Sequence, residues 1–154
     1  MTLGKIIISN FATINTAELK ILFMKKKNDP IAEARRYVEN ARKALNENGE
    51  LDVETKLYQD EKYVRAAGNY LWLGVLMALD AVFHVRKDRR TRVDINNYLE
   101  AVGKRDRKLL SFVNTGYDVM HLSMTYDGVP AKGVSDEGIR LANAIIDRCE
   151  MMMQ

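Results

Sequence analysis

The most apolar segment of the chain is Tyr70-Leu-Trp-Leu-Gly-Val-Leu-Met-Ala-Leu-Asp-Ala-Val-Phe83. Drawn as a helix, this segment is hydrophobic on nearly every side, which is typical of a helix that other helices surround. Asp60 precedes it as a capping residue, so we expect one helix from there to about Val85. Gly68 and Gly74 lie within it and predict close approach by a neighbouring helix or by another subunit.

Helical patterns flank this central segment on both sides. Asp29 and Pro30 are typical of a helix start, and apolar residues then recur every three or four positions until Gly49. A short helix is predicted at about 94–102 and a long one at about 105–126. Ser135 is expected to cap a last helix with a buried stripe of Ile139, Ala142, Ile145, Ile146 and Cys149, and with Leu141 at its edge. We therefore predict an all-α fold, an antiparallel four-helix bundle with an additional short helix.

The chain has 154 residues, which is the length of one domain. We expect residues 29–154 to form a single helical-bundle domain and residues 1–28 to be an N-terminal extension, weakly structured or a short helix. A strand at residues 5–9 followed by a helix from about Thr16 is the alternative. No apolar run approaches the roughly 20 residues that span a bilayer, and no signal peptide is evident. A cytoplasmic protein without a membrane partner is therefore expected, and the single Cys excludes an internal disulfide framework.

The net charge of +3 conceals two oppositely charged segments. Residues 46–61, the acidic connector, carry six acids against Lys56 alone, a local charge of −5. Residues 86–108, the basic segment, carry nine bases against four acids, a local charge of +5. The sharper interpretation of the basic segment is phosphate contact with nucleic acid or a nucleotide through Arg86, Lys87, Arg89, Arg90, Arg92, Lys104 and Arg105. The simpler one is a solvated linker whose charge is met by the acidic connector, on the same chain or on a partner subunit.

His121 is the first candidate for chemistry. It shares one predicted helix face with Tyr117 and Met124, and Asp118 lies three residues before it, where a carboxylate would raise the pKa of the imidazole. That arrangement suits a general base or a ligand contact between helices. We favour the alternative of a half-buried histidine that is satisfied by a hydroxyl or a backbone carbonyl.

Asp80 and His84 form a second candidate pair, four residues apart at the end of the central helix. A carboxylate among apolar side chains is costly unless it is paired, so a partner is expected: His84, an Arg from another helix, or a backbone N–H at a helix start. Asp80, His84 and His121 together could form an acid–base or divalent-metal cluster. Structural pairing is favoured, and neither a metal nor a cofactor is predicted.

Several segments resemble a known family. They are Ala34-Arg-Arg-Tyr-Val-Glu-Asn-Ala41, Tyr63-Val-Arg-Ala-Ala-Gly68, Gly74-Val-Leu-Met-Ala-Leu-Asp-Ala-Val82 and Tyr117-Asp-Val-Met-His-Leu-Ser-Met-Thr-Tyr-Asp-Gly128. With the order of the helices, they resemble HEPN-like bundles, and more closely a small bacterial family of HEPN-like proteins without assigned function. HEPN ribonucleases carry an Arg, then four to six intervening residues and then a His, and no Arg stands among the seven residues before His84 or His121.

The resemblance therefore implies a bundle that pairs with itself, without the ribonuclease mechanism. We expect a protein of unknown function that is non-enzymatic, forms a homodimer and binds a protein partner. One alternative is a nucleic-acid or nucleotide binder that uses the basic segment. The other is a divergent hydrolase or nuclease centred on His121.

Overall fold

The computed structural model describes residues 15–27, 29–88 and 93–154. Seven helical segments follow one another in this described part: α1 (Thr16–Lys27), α2 (Pro30–Asn48), α3 (Glu61–Phe83), α4 (Ile95–Gly103), α5 (Arg107–Gly116), a π-helix named π1 (Tyr117–Tyr126), and α6 (Lys132–Met153). Two short strands, β1 (Leu51–Asp52) and β2 (Leu57–Tyr58), join α2 to α3. The predicted all-α class is confirmed, since the chain is predominantly helical. The alternative strand at residues 5–9 lies outside the described residues.

Aspartates cap four of the helices, and the sequence predicts two of these caps, Asp29 and Asp60. Asp29 Oδ1 accepts the N–H groups of Ile31 and Ala32 at 3.0 and 3.2 Å, and Asp60 accepts that of Lys62 at 3.1 Å. Asp94 and Asp106 cap α4 and α5 in the same way. These bonds satisfy backbone donors that have no partner inside the helix.

The predicted cap at Ser135 is wrong. α6 begins three residues earlier, at Lys132, so Ser135 lies within the helix and is fully buried. Its hydroxyl has no hydrogen-bond partner among the described residues. The predicted edge position of Leu141 is also wrong, because Leu141 is 1% exposed and belongs to the core, whereas Ile139 is half-buried.

α3 is the central helix of the molecule, as predicted. It packs against α2, π1 and α6, and its buried residues include Leu71, Val75 and Leu79. By length and composition alone α3 could cross a membrane, with a mean hydropathy of 1.4 over its most apolar window. Half of that window is buried inside the protein, which is consistent with the core helix of a soluble protein.

Two glycines of α3 allow neighbouring helices to approach closely, as predicted. A Cβ at Gly68 would lie 2.6 Å from the Cβ of Met124 and 2.7 Å from the carbonyl oxygen of Met120, both on π1. A Cβ at Gly74 would lie 2.9 Å from the carbonyl oxygen of Ala34 on α2. The absent side chains therefore bring backbone against backbone on two sides of α3.

The predicted long helix at 105–126 has the expected end but not a uniform type. From Tyr117 onward it is a π-helix, with bonds that span five residues, such as that from the Asp127 N–H to the Leu122 carbonyl at 2.9 Å. Arg65 on α3 closes its C-terminus by donating to the carbonyl oxygens of Thr125, Tyr126 and Asp127. π-Helices are frequent at functional sites because they change which side chains share a face.

The acidic connector contains a small hairpin that the sequence did not predict. Leu51 pairs with Tyr58 and Asp52 with Leu57 in antiparallel register. The N–H of Tyr58 donates to the carbonyl of Pro130 at 2.9 Å, which ties the hairpin to the start of α6. Strands of two residues are too short to show a period-two pattern.

Candidate functional site

A cluster of aromatic rings surrounds His121. Its ring centroid lies 5.0 Å from that of Tyr117, 5.3 Å from Tyr126 and 6.0 Å from Trp72. Trp72 on α3 also meets Tyr117 edge-on at 5.5 Å. Met124 does not share this environment, because it is fully buried in the core beside Gly68 and Gly138. The π-helical winding accounts for the presence of Tyr126, which stands five residues after His121.

The prediction that Asp118 raises the pKa of His121 is wrong. Burial lowers the pKa of His121 below its ordinary value, since desolvation disfavours the charged imidazolium. Asp118 is exposed, and no hydrogen bond or ion pair joins it to His121. At neutral pH the imidazole is therefore uncharged and offers one donor and one acceptor.

Asp80 has the partner that its apolar surroundings require. Its Oδ1 accepts the hydroxyl of Tyr98 at 2.9 Å and the backbone N–H of Arg86 at 3.1 Å. The expected partners were His84, an Arg side chain or a helix start, so the tyrosine was missed. Tyr98 appeared in the sequence only as the single aromatic residue of the basic segment. Nothing in its spacing could indicate that α4 folds back onto the end of α3.

Tyr98 is 2% exposed, and both the Asp80 carboxylate and the positive charge of Arg86 act on its hydroxyl. Burial and then the hydrogen bond to Asp80 raise the pKa of the phenol well above its ordinary value, and the positive charge of Arg86 acts in the opposite direction. The phenol is therefore protonated at any physiological pH. Its hydroxyl is occupied as a donor and holds α4 against α3.

His84 stands apart from the other two candidate residues. It is the exposed C-cap of α3, in left-handed conformation with φ of 50°, and its N–H donates to the Asp80 carbonyl at 3.0 Å. A cavity beside His121, described below, is lined by Tyr98, to which Asp80 is hydrogen-bonded. His84 does not line this cavity. In the described ranges no group of three or more His, Cys, Asp or Glu side chains is placed to hold a metal ion.

The cavity beside His121 has a volume of 260 Å³ and lies between α3, π1 and the start of α4. We name it the aromatic cavity. Its aromatic and aliphatic lining comes from Trp72, Leu76, Val93, Ile95, Tyr98 and Tyr117. Its polar lining comes from Arg86, Asp94 and His121. Small-molecule sites are usually concave and combine aromatic and aliphatic walls with a small number of placed polar groups.

The basic segment is described only in part. Arg89, Arg90 and Arg92 lie outside the described residues. Lys104 pairs with Glu100 at 2.7 Å, and the Arg105 guanidinium lies 5.2 Å from the ring centre of Phe83. No ion pair between the acidic connector and the basic segment is found in the part of the chain that the structure covers. The described bases of the basic segment are therefore not neutralised by direct ion pairs with the acidic connector.

Cys149 is a core residue, as the sequence predicts. It is fully buried on α6, and burial raises the pKa of the thiol to about 12. The thiolate is the reactive form of cysteine, so this thiol is inert in the folded protein.

These observations define a predominantly helical protein with an aromatic cavity beside its central helix. Residues 29–151 match the family described as a domain of unknown function (DUF5618), and the chain belongs to that family. The match begins at the residue where the predicted helical domain begins.

A solved structure of a protein of unknown function from Dyadobacter fermentans is similar to this chain. The two share 37% sequence identity and a TM-score of 0.72, over 79% of this chain and 94% of that one. No curated protein matches. Neither match has an assigned function, so the predicted membership of a family without one is supported, while the HEPN-like resemblance stays a prediction.

Proposed function

We propose that the chain is a HEPN-like antiparallel four-helix bundle that acts without catalysis, by pairing with a second copy of itself and presenting the dimer to a protein partner. The order of the helices supports the HEPN-like part of this proposal. Two long helices, α2 and α3, precede the basic segment with its short helix α4, and two long helical segments follow. The absence of the Arg/His ribonuclease spacing favours a non-enzymatic role.

Exposed apolar side chains on α1 carry the proposal. Leu19, Ile21, Leu22, Phe23 and Met24 are 41–68% exposed, and every residue from Asn15 to Met24 is exposed to solvent. Monomeric proteins rarely leave contiguous apolar surface of this kind uncovered. α1 therefore needs a surface to pack against.

A matching surface is formed by Tyr70, Leu73 and Met77 on α3 together with Tyr37 on α2. Leu73 is 40% exposed, and the ring centroids of Tyr37 and Tyr70 lie 6.3 Å apart. Tyrosines and methionines are enriched in interfaces because they bury much area and adapt their shape. One chain thus contains an uncovered apolar helix and an uncovered apolar face.

A second copy of the chain can cover both apolar surfaces at the same time. In a two-fold dimer each α1 packs on the α3 face of the other chain, so the same contact forms twice. On α1, Leu19, Leu22 and Phe23 share one face, whereas Ile21 and Met24 lie on the opposite side. Burying the exposed half of one large apolar side chain contributes about 1 kcal/mol, so the six side chains that two α1 helices supply contribute about 6 kcal/mol. The cost of association is about 4–15 kcal/mol, so burial of the α3 face has to add to this contribution.

The test is the mass in solution, measured by size-exclusion chromatography with light scattering over a dilution series. We expect twice the chain mass of 17.6 kDa for the wild type. Leu73→Glu and the double variant Leu22→Glu/Phe23→Glu should each shift the equilibrium to monomer. Leu57→Glu is the matched control, because Leu57 is 38% exposed but lies on the hairpin.

Two outcomes would overturn the proposal. A wild-type protein that is monomeric at every concentration excludes self-association. A dimer that resists both sets of glutamate variants, or that Leu57→Glu disrupts equally, places the interface elsewhere. Circular dichroism confirms that each variant remains helical.

Nucleic-acid binding by the basic segment is the second candidate function. Lys87, Arg107 and Lys108 are exposed and form no ion pair with another described residue, which favours phosphate contact. The expected result is RNA or DNA binding that weakens with salt and is lost when Arg89, Arg90 and Arg92 are changed to Ala. Binding that is independent of salt would exclude it. The hydrolase alternative has less support, because rings and not a carboxylate surround His121.

A further inference from the structure

The aromatic cavity is a site that self-association does not use. It lies on the π1 side of α3, whereas the proposed interface with Tyr37 and Tyr70 lies on the α2 side. Its volume of 260 Å³ exceeds the roughly 150 Å³ that is enough to hold a benzene ring in a protein interior. Trp72, Tyr117 and the neutral ring of His121 offer edge-to-face and stacking contacts to a ligand ring.

The charged groups of the cavity narrow the chemistry of its ligand. Arg86 and Asp94 both line it, yet they form no ion pair with each other. The side chain of Arg86 makes no hydrogen bond to another described residue. Asp94 Oδ1 accepts the Asn96 N–H at 2.8 Å as the cap of α4, and a carboxylate can accept further bonds. A cation and an anion thus line the same cavity without neutralising each other directly.

Asp80, a third charged residue near the cavity, already has hydrogen-bond partners within the protein. Asp80 does not line the cavity and accepts the Tyr98 hydroxyl and the Arg86 N–H instead. Among the described residues, the lining of the cavity therefore presents one positive side chain, one negative side chain and several rings.

We propose that the aromatic cavity binds a free aromatic amino acid, with its ring against Trp72, Tyr117 and His121, its carboxylate on Arg86 and its ammonium on Asp94. A zwitterion with an aromatic side chain supplies all three complementary groups, and charge-assisted hydrogen bonds are the stronger kind. An anion alone would leave the Asp94 carboxylate without an opposite charge, and a cation alone would leave the Arg86 guanidinium without one.

Trp72 is the single tryptophan of the chain and reports binding directly. Phenylalanine is the probe, added while Trp72 fluorescence is excited at a wavelength that phenylalanine does not absorb. Three comparison compounds each remove one group: 3-phenylpropionate lacks the ammonium, phenethylamine lacks the carboxylate and alanine lacks the ring. We expect a saturable change with phenylalanine in the micromolar to millimolar range, and at least about tenfold weaker binding of each comparison compound.

Two variants assign the charges. Arg86→Gln should weaken the binding of phenylalanine about tenfold and leave the binding of phenethylamine unchanged. Asp94→Asn should weaken the binding of phenylalanine by a similar factor and leave the binding of 3-phenylpropionate unchanged. Asn is also a good helix cap, so this substitution preserves α4. Lys87→Gln and Asp118→Asn are the matched controls, because both residues are exposed and neither lines this cavity.

No saturable change with phenylalanine, or equal binding of 3-phenylpropionate, would overturn the inference. Controls that weaken phenylalanine as much as the Arg86 and Asp94 variants would do the same. Light scattering on the variants separates this result from self-association, because neither Arg86 nor Asp94 belongs to the proposed interface.

Discussion

Gly68→Ala tests the close packing of α3 against π1. The added Cβ would lie 2.6 Å from the Cβ of Met124 and 2.7 Å from the carbonyl oxygen of Met120. The Met120 oxygen belongs to the backbone and the Met124 Cβ is bonded directly to it, so no side-chain rotation can move either atom away. The backbone of π1 itself therefore has to shift. Overpacking of this kind costs about 3 kcal/mol at the upper end of its usual range, and alanine returns about 1 kcal/mol of helix propensity. We expect a net loss of about 2 kcal/mol in the free energy of unfolding.

The assay is thermal and urea unfolding followed by helical circular dichroism. For a chain of this size, 2 kcal/mol lowers the Tm by about 4–8 °C. Gly133→Ala is the control, because Gly133 lies on α6 and a Cβ added there would meet no described atom within 4 Å, so this change should be neutral or stabilising. A Gly68→Ala protein as stable as the wild type, or one destabilised no more than Gly133→Ala, would refute the backbone contact between α3 and π1.

Three further predictions concern single side chains. Because folding lowers the pKa of His121, the unfolded chain binds the proton of this residue more tightly than the folded chain does. His121 therefore favours the folded state above its ordinary pKa of 6.5 and destabilises that state as the pH falls below 6.5. His121→Gln should reduce this pH dependence of the free energy of unfolding. Tyr98→Phe should lower the free energy of unfolding by about 1–2 kcal/mol in urea titrations, since Asp80 loses its hydroxyl donor, and an unchanged midpoint would contradict that role. Cys149 should react with a thiol reagent only after denaturation, so rapid labelling of the native protein would show that α6 opens.

Much of the helical framework follows from the sequence because its causes are local. Asp29 and Asp60 precede apolar periodicity and cap the helices that they predict. The apolar segment around Leu71 and Leu79 could be stable only when surrounded, and it forms the central helix. Gly68 and Gly74 indicated close approach before any neighbouring helix was known.

The candidate site was predictable only in its parts. Asp80 needed a partner on grounds of desolvation alone, but Tyr98 stands 18 residues away on another helix, and no periodicity joins the two. His121 was identified as a candidate, yet its pKa moves in the direction opposite to the one that Asp118 suggested. Sequence spacing showed the carboxylate but not the burial, which is the larger effect.

The sequence by itself determined where helices start, which segment lies at the centre, and that Cys149 belongs to the core. Those outcomes depend on hydrogen bonds and apolar patterns within a few turns of one helix. Only the tertiary structure decided that the helix after Gly116 winds as a π-helix, that α4 folds onto Asp80, and that Arg86 and Asp94 face one cavity. These depend on how helices pack against one another, and packing is set by the shapes of surfaces that are distant in the chain.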